Sequence, residues 1–194
     1  MPATLLRAID RIAKPWKNGG GVTHDITVWP EQAGLGDFDW RISMAEVATD
    51  GPFSLFPGVD RTLAVLSGTM RLTIDGHGVH DLTSDSAPLS FAGDVAVFGS
   101  PLDGPVTDLN VMVRRDRYSA SLRRLEATDS IVIAEDETAI LVSITTLTAR
   151  LPGRDIEAAP RDAIRISGPE RIAVSGRAFH ISIKPADAAS HPGS

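Results

Sequence analysis

Arginine, carboxylate and amide side chains recur along three strand-like runs of this sequence, at spacings that would gather them on one surface. In Asp108-Leu109-Asn110-Val111-Met112-Val113-Arg114, period-two alternation sends Asp108, Asn110, Met112 and Arg114 to one face and Leu109, Val111 and Val113 to the other. Arg41 and Ser43 form a similar row opposite Trp40, Ile42 and Met44, and Arg61 follows Asp60 at the start of a third run. A guanidinium is the natural partner of a carboxylate, because its planar fork gives two parallel hydrogen bonds and never loses its charge. Glu46, Asp60 and Asp108 are the carboxylates placed to orient such forks. One arginine beside one aspartate reads as a surface ion pair worth little. Three arginines sharing strand faces with a hydroxyl, an amide and a methionine read instead as an anion pocket at a barrel mouth.

The run Pro15-Trp16-Lys17-Asn18-Gly19-Gly20-Gly21 adds a cation and three glycines. Its plainer reading is a wide turn or bulge. Its functional reading is a close approach to the backbone, by a neighbouring strand or by a small anion held at successive N–H groups around Lys17, Asn18, Gly19 and Gly20. Two other chemistries have weaker support. The histidines lack the spacing of a metal set: His77 and His80 flank glycine in a turn, and His180 alternates with apolar residues. No metal or other cofactor is expected. No Gly-x-Ser-x-Gly elbow surrounds a serine. A metal-independent acid–base enzyme acting on a small carboxylate, using Asp25 or Glu46 with His24, is the alternative to a binding protein.

Strands must position these groups, for the chain alternates almost throughout. Phe38 to Met44, Arg61 to Leu66 and Met70 to Ile74 have period two, and turn signals such as Asp50-Gly51-Pro52, Asp75-Gly76 and Asp103-Gly104-Pro105 separate them. An all-β sandwich or barrel follows. Only Tyr118 to Glu126 is expected to be partly helical, as a crossover. The hairpin that starts at Thr62 has a counterpart 77 positions later at Ala139, and Leu109–Arg114 has one 70 positions later at Phe179–Lys184. That order argues for duplication, with lobes at 1–117 and 118–185 and a disordered tail at 186–194.

Composition narrows the partners. The 194 residues carry a net charge of −6 and no cysteine, which argues against nucleic-acid and anionic-membrane partners and removes disulfides and thiolate chemistry. No apolar run suits a signal peptide or membrane span, so a cytoplasmic location is expected. The oligomeric state is open between monomer and homodimer.

PWKNGGGVTHDI, then FDWRISMAEVATDGPFSLFPGVDRTLAVLSG, then FAGD and DLNVMVRR, in that order, resemble the HutD/Ves family. The likeness runs over residues 4 to 185, with the specific motifs in the first 115. It implies an all-β bicupin, two cupin-like barrel lobes in one chain. It also implies a non-catalytic regulatory role in histidine utilisation, sensing a small anionic metabolite such as formylated or formimino-glutamate, or urocanate. Thr23-His24-Asp25 stands where members of the family usually carry Thr-Arg-Glu.

Overall fold

The computed structural model describes residues 3–16 and 19–186. Lys17 and Asn18, and the tail expected at 186–194 apart from Ala186, lie outside the described residues. Among those described there is no α-helix, only a short 3-10 turn at Ala8–Asp10.

Four antiparallel sheets form two lobes. In the first, a six-stranded sheet runs Ala13–Pro15, Gly21–Trp29, Trp40–Val47, Val106–Arg114, Val59–Ser67 and Leu89–Ala92 in spatial order. A four-stranded sheet of Gly51–Pro52, Val97–Pro101, Thr69–Ile74 and Gly78–Thr83 packs on it. Met70, Leu72, Ile74 and Val97 from the smaller sheet meet Ala45, Val47, Leu63, Val65 and Val106 from the larger in one apolar core. Thr69–Ile74 shows why this sequence makes a strand: alternate residues Met70, Leu72 and Ile74 are buried while Arg71 and Thr73 are exposed.

The second lobe repeats the plan. Its five-stranded sheet has the order Ala3–Leu6, Ala163–Ser167, Thr138–Ser143, Ala178–Pro185 and Tyr118–Leu125, and its four-stranded sheet the order Thr128–Ile133, Glu170–Ser175, Leu147–Leu151 and Arg154–Ala158. Strand for strand, the smaller sheet copies that of the first lobe. The larger one copies the run from Trp40–Val47 to Leu89–Ala92, and it adds Ala3–Leu6 from the start of the chain, paired with Ala163–Ser167. The fold is an all-β bicupin.

A third core glues the lobes together. Trp40, Ile42, Met44, Leu109, Val111 and Val113 on the back of the six-stranded sheet pack against Ile140, Val142, Phe179, Ile181 and Ile183 of the five-stranded one. Trp40–Val47 and Val106–Arg114 are therefore covered on both faces, and the polar row read from their sequence faces the interior of the first lobe rather than solvent.

Two expectations are corrected. Tyr118–Leu125 is a strand, not part of a helix: it pairs along its length with Ala178–Pro185, with Tyr118, Ala120 and Leu122 packed toward the inter-lobe core and Ser119, Ser121 and Arg123 exposed. Its alternation was the stronger signal. The repeat is also one residue out in the hairpin. Asn110 pairs with Leu63, and its counterpart His180 pairs with Leu141, 78 positions beyond Leu63. In a strand a one-residue slip exchanges the faces.

Candidate functional site: an arginine-lined interior in the first lobe

Register across the six-stranded sheet stacks the site in rungs. One rung reads Val28, Arg41, Met112, Arg61, Phe91, and the next reads Asp25, Ser43, Asn110, Leu63, Leu89. A third places Asp108 between Ala45 and Val65. A bulge between Asp25 and Thr27 in Gly21–Trp29 keeps Asp25 on the rung of Ser43. Arg41, Ser43, Arg61, Asp108, Asn110 and Met112 are each more than nine-tenths buried.

Arg61 sits in an aromatic box. Its guanidinium carbon lies 5.1, 5.7 and 5.2 Å from the ring centroids of Phe53, Phe56 and Phe91. The ring faces attract the cation and shield it from water. Nη1 donates to the Ser54 carbonyl at 3.4 Å, while Nε is buried with no hydrogen-bond partner. Burial lowers the pKa of this guanidinium to about 10, opposed by the attraction of Asp108 and assisted by repulsion from Arg41. Asp108, 1 % exposed, is pushed up to about 7 by burial, against the pull of Arg61. At the mouth, Asp25 bridges two cations: Arg41 Nη2 lies 2.5 Å from Oδ1 and Lys14 Nζ lies 2.6 Å from Oδ2.

Four buried polar atoms in this interior lack hydrogen-bond partners: Asp108 Oδ1, Asn110 Oδ1, Arg61 Nε and Asp25 Oδ1, the last of which touches Arg41 without hydrogen-bond alignment. An unpaired buried polar group costs free energy, so folded proteins leave few of them. Arg11 Nε, Arg124 Nε and His180 Nε2 are likewise buried without partners, but only here do such atoms gather beside two guanidiniums among the described residues. Two cations oppose a metal ion, the imidazole of His80, on the rung of Leu72, meets the His77 carbonyl at 3.1 Å, and among the described residues no cluster of three His, Cys, Asp or Glu could hold one. The two guanidiniums suit an anion, and the unpaired oxygens suit a hydrogen-bond donor on the same guest.

Other expected site residues lie elsewhere. Glu46 projects from the opposite face of Trp40–Val47, is exposed, and contacts Arg161 at 3.8 Å. Asp60 is likewise on the far side of its strand from Arg61 and pairs with Arg115 at 2.9 Å. Arg114 is not oriented by Asp108. It donates to the carbonyls of Phe38, Pro57 and Gly36 and lies over the Phe38 ring, pinning two loops together. His24 alternates with Asp25 and pairs in register with Met44, so the two project to opposite faces.

The glycine run forms the turn between Ala13–Pro15 and Gly21–Trp29. Trp16 N–H donates to the Gly21 carbonyl, Gly19 N–H donates to that of Trp16, and the Gly20 carbonyl accepts from Ala48 and Thr49. Gly19 has φ +72°, and a Cβ on Gly21 would lie 2.5 Å from the Glu46 carbonyl oxygen and 3.1 Å from the Trp16 ring. Here the group that approaches the backbone is a neighbouring strand.

Lys14, Phe53, Phe56 and Phe91 were not foreseen as site residues. Phe91 was within reach, since alternation from Leu89 places it inward. The roles of Phe53 and Phe56 depend on a loop folding over Arg61. The motif Phe91-Ala92-Gly93-Asp94 also ends in a tether, where Asp94 accepts from Gly58 N–H at 2.9 Å and from Arg115 at 2.5 Å.

Two open clefts are present. One of about 580 Å³ is lined by Gly36, Phe38, Arg114 and Arg117, and one of about 390 Å³ by Thr62, Ser90, Val111 and Tyr118 together with Arg61 and Phe91. Arg114 and Arg117 in the larger cleft are already bound to carbonyls and to Asp39. The unpaired atoms place the candidate site in the buried interior rather than in the larger cleft.

The HutD family model matches residues 8–181. An uncharacterised 21.2 kDa protein in the hutC 3' region of Pseudomonas putida is 32% identical over 170 residues, covering 87% of this chain and 88% of that one. Protein Ves of Citrobacter koseri is 38% identical over 114 residues, 58% of this chain and 59% of Ves. The solved structure of HutD from Pseudomonas fluorescens SBW25 superposes with a TM-score of 0.83 at 30% identity, over 95% of this chain and 99% of that one.

Proposed function

This chain belongs to the HutD family, and on that premise we propose that it is a non-catalytic binding protein whose first lobe senses a small anionic metabolite of histidine utilisation. The observation that carries the reading is the group of unpartnered buried atoms around Arg61. A carboxylate entering past Asp25 would give Arg61 Nε the acceptor it lacks. Formylated glutamate, formimino-glutamate and urocanate each combine a carboxylate with N–H or acyl groups that could meet Asn110 and Ser43. The gene region named for the Pseudomonas putida relative supports the histidine-utilisation context.

A thermal-shift titration tests this. A ligand at a hundred times its Kd adds about 2.7 kcal/mol to the stability of a native-state binder. At roughly 2–4 °C per kcal/mol for a chain of this size, Tm rises by about 5–10 °C. The pathway acids produce the shift and neutral analogues of equal size do not. Arg61→Gln abolishes it, whereas Arg114→Ala lowers the starting Tm and keeps the shift. Equal shifts from acids and neutral analogues would remove the arginines from the account.

A metal-independent acid–base enzyme is the second reading. It draws support from Asp108, whose pKa of about 7 suits proton transfer. The pair of His24 with Asp25 no longer supports it, because these side chains diverge. Chemical conversion of the acid during the same incubation would favour the enzyme.

A further inference from the structure

Arg41 and Arg61 stand on one rung of the six-stranded sheet, on either side of Met112. Two inter-strand spacings of roughly 4.8 Å set their backbones about 10 Å apart, and both side chains turn to the same interior. They differ in what holds them. Arg61 is boxed by three phenylalanine rings, and its Nε has no acceptor. Arg41 instead carries Asp25, from the neighbouring strand Gly21–Trp29, at 2.5 Å.

The contact between Arg41 and Asp25 is poorly made for a permanent one. Arg71 and Asp81 show an optimised fork in the same lobe, where Nε and Nη2 donate to the two carboxylate oxygens, each at 2.7 Å. Asp25 offers Arg41 a single oxygen, and that oxygen is buried without hydrogen-bond alignment. Its other oxygen accepts from Lys14 Nζ at 2.6 Å, on the edge strand Ala13–Pro15. Lys14 is exposed and Arg41 is buried. Asp25 therefore spans a wet cation and a dry one, and it can leave the dry one while keeping the wet one.

Resting on the reading of the first lobe as a carboxylate site, we propose that Asp25 is an exchangeable counter-ion and that the site is built for a dicarboxylate. In the free protein Asp25 occupies Arg41 in place of a ligand. One carboxylate of the guest takes Arg61. The other displaces Asp25 from Arg41, and Asp25 turns outward onto Lys14. The exchange swaps one anion for another, so the buried Arg41 guanidinium is never left without a counter-charge. A monoacid at Arg61 leaves Asp25 where it is. Asp25 thereby sets how strongly a diacid is preferred, because breaking its contact offsets part of what the second carboxylate gains.

Calorimetric titration of the full chain with N-formyl-L-glutamate and its two mono-amides, N-formyl-L-glutamine and N-formyl-L-isoglutamine, measures the preference for the diacid over the better-binding mono-amide. Asp25→Asn removes the internal competitor and is expected to widen that preference about tenfold, the scale of one charge-assisted contact. Adding Arg41→Gln to Asp25→Asn is expected to abolish the gain. Lys14→Gln takes away the cation that receives the displaced Asp25 and is expected to narrow the preference. A preference that stays the same or shrinks in Asp25→Asn makes Asp25 a positioning residue for Arg41; it overturns the exchange and leaves the carboxylate site standing. A gain that survives the loss of Arg41 also overturns the exchange. Absence of binding by the diacid and both mono-amides overturns the carboxylate site and the exchange together. If Asp25→Asn does not fold, Lys14→Gln decides: a narrowed preference supports the exchange and an unchanged one overturns it.

Discussion

Arg61 shows what one residue can be made to do by its surroundings. Three phenylalanine rings and a carbonyl hold a full charge in an interior where Asp108 is the carboxylate that offsets it among the described residues. Its counterpart region in the second lobe handles charge differently. His180, at the place of Asn110, is buried, and its pKa is lowered to about 4 by burial and then by Arg123, against the opposing pull of Glu137 and Asp129. A histidine held neutral in the native state contributes stability that is present above its unfolded pKa near 6.5 and is lost as pH falls toward 4. His180→Gln should therefore reduce the loss of stability between about pH 7 and 4.5, read by denaturant unfolding at each pH. An unchanged acid limb would move the cause to another group. Period-two alternation made Arg41, Ser43, Arg61, Asp108, Asn110 and Met112 legible in sequence, because backbone geometry alone sends them to one face. The partners of Glu46, Asp60 and Arg114 were not legible: Arg161, Arg115 and the Gly36 carbonyl come from distant parts of the chain.

At the scale of elements, polar and apolar faces of the same strands do separate jobs. In Val106–Arg114, one face supplies Asp108 and Asn110 to the interior while Leu109, Val111 and Val113 weld the lobes. Gly21 protects this arrangement from the side, where Gly21–Trp29 meets Trp40–Val47 under the Trp16 ring. Trp16 is in turn fixed by its indole N–H donating to the Thr23 hydroxyl at 2.7 Å. Gly21→Ala places a methyl against the rigid Glu46 carbonyl, and overpacking of that kind costs roughly 1–3 kcal/mol. A Tm lower by about 2–12 °C is the expected result, by the usual conversion for chains of this length. A Tm within a degree of wild type would show that this turn yields freely. The glycine run was recognisable in sequence as a turn, but its purpose depended on which strand lay beside it. The segment from Tyr118 was misread as partly helical although it alternates; pairing with Ala178–Pro185 fixes it as a strand.

For the whole molecule, duplication gives two barrels and divergence gives them different interiors. The first carries buried arginines and unpaired acceptors. The second places Leu141 where the first has Leu63, and surrounds it with Ala139, Ile131, Ile164 and Val174. The strand content and doubling could be read from the sequence, whereas the back-to-back welding of the larger sheets could not, because a strand buried on both faces and one half exposed can share the same alternation. That welding covers the apolar faces of the shared strands, while the four-stranded sheet closes over the polar row and makes it an interior. The central claim is that this interior, through Arg61, binds a small carboxylate. Calorimetric titration of wild type, Arg61→Gln and Arg114→Ala with the histidine-pathway acids tests it most directly. The account predicts one site per chain in wild type and Arg114→Ala and none measurable in folded Arg61→Gln; wild-type affinity in Arg61→Gln would contradict it.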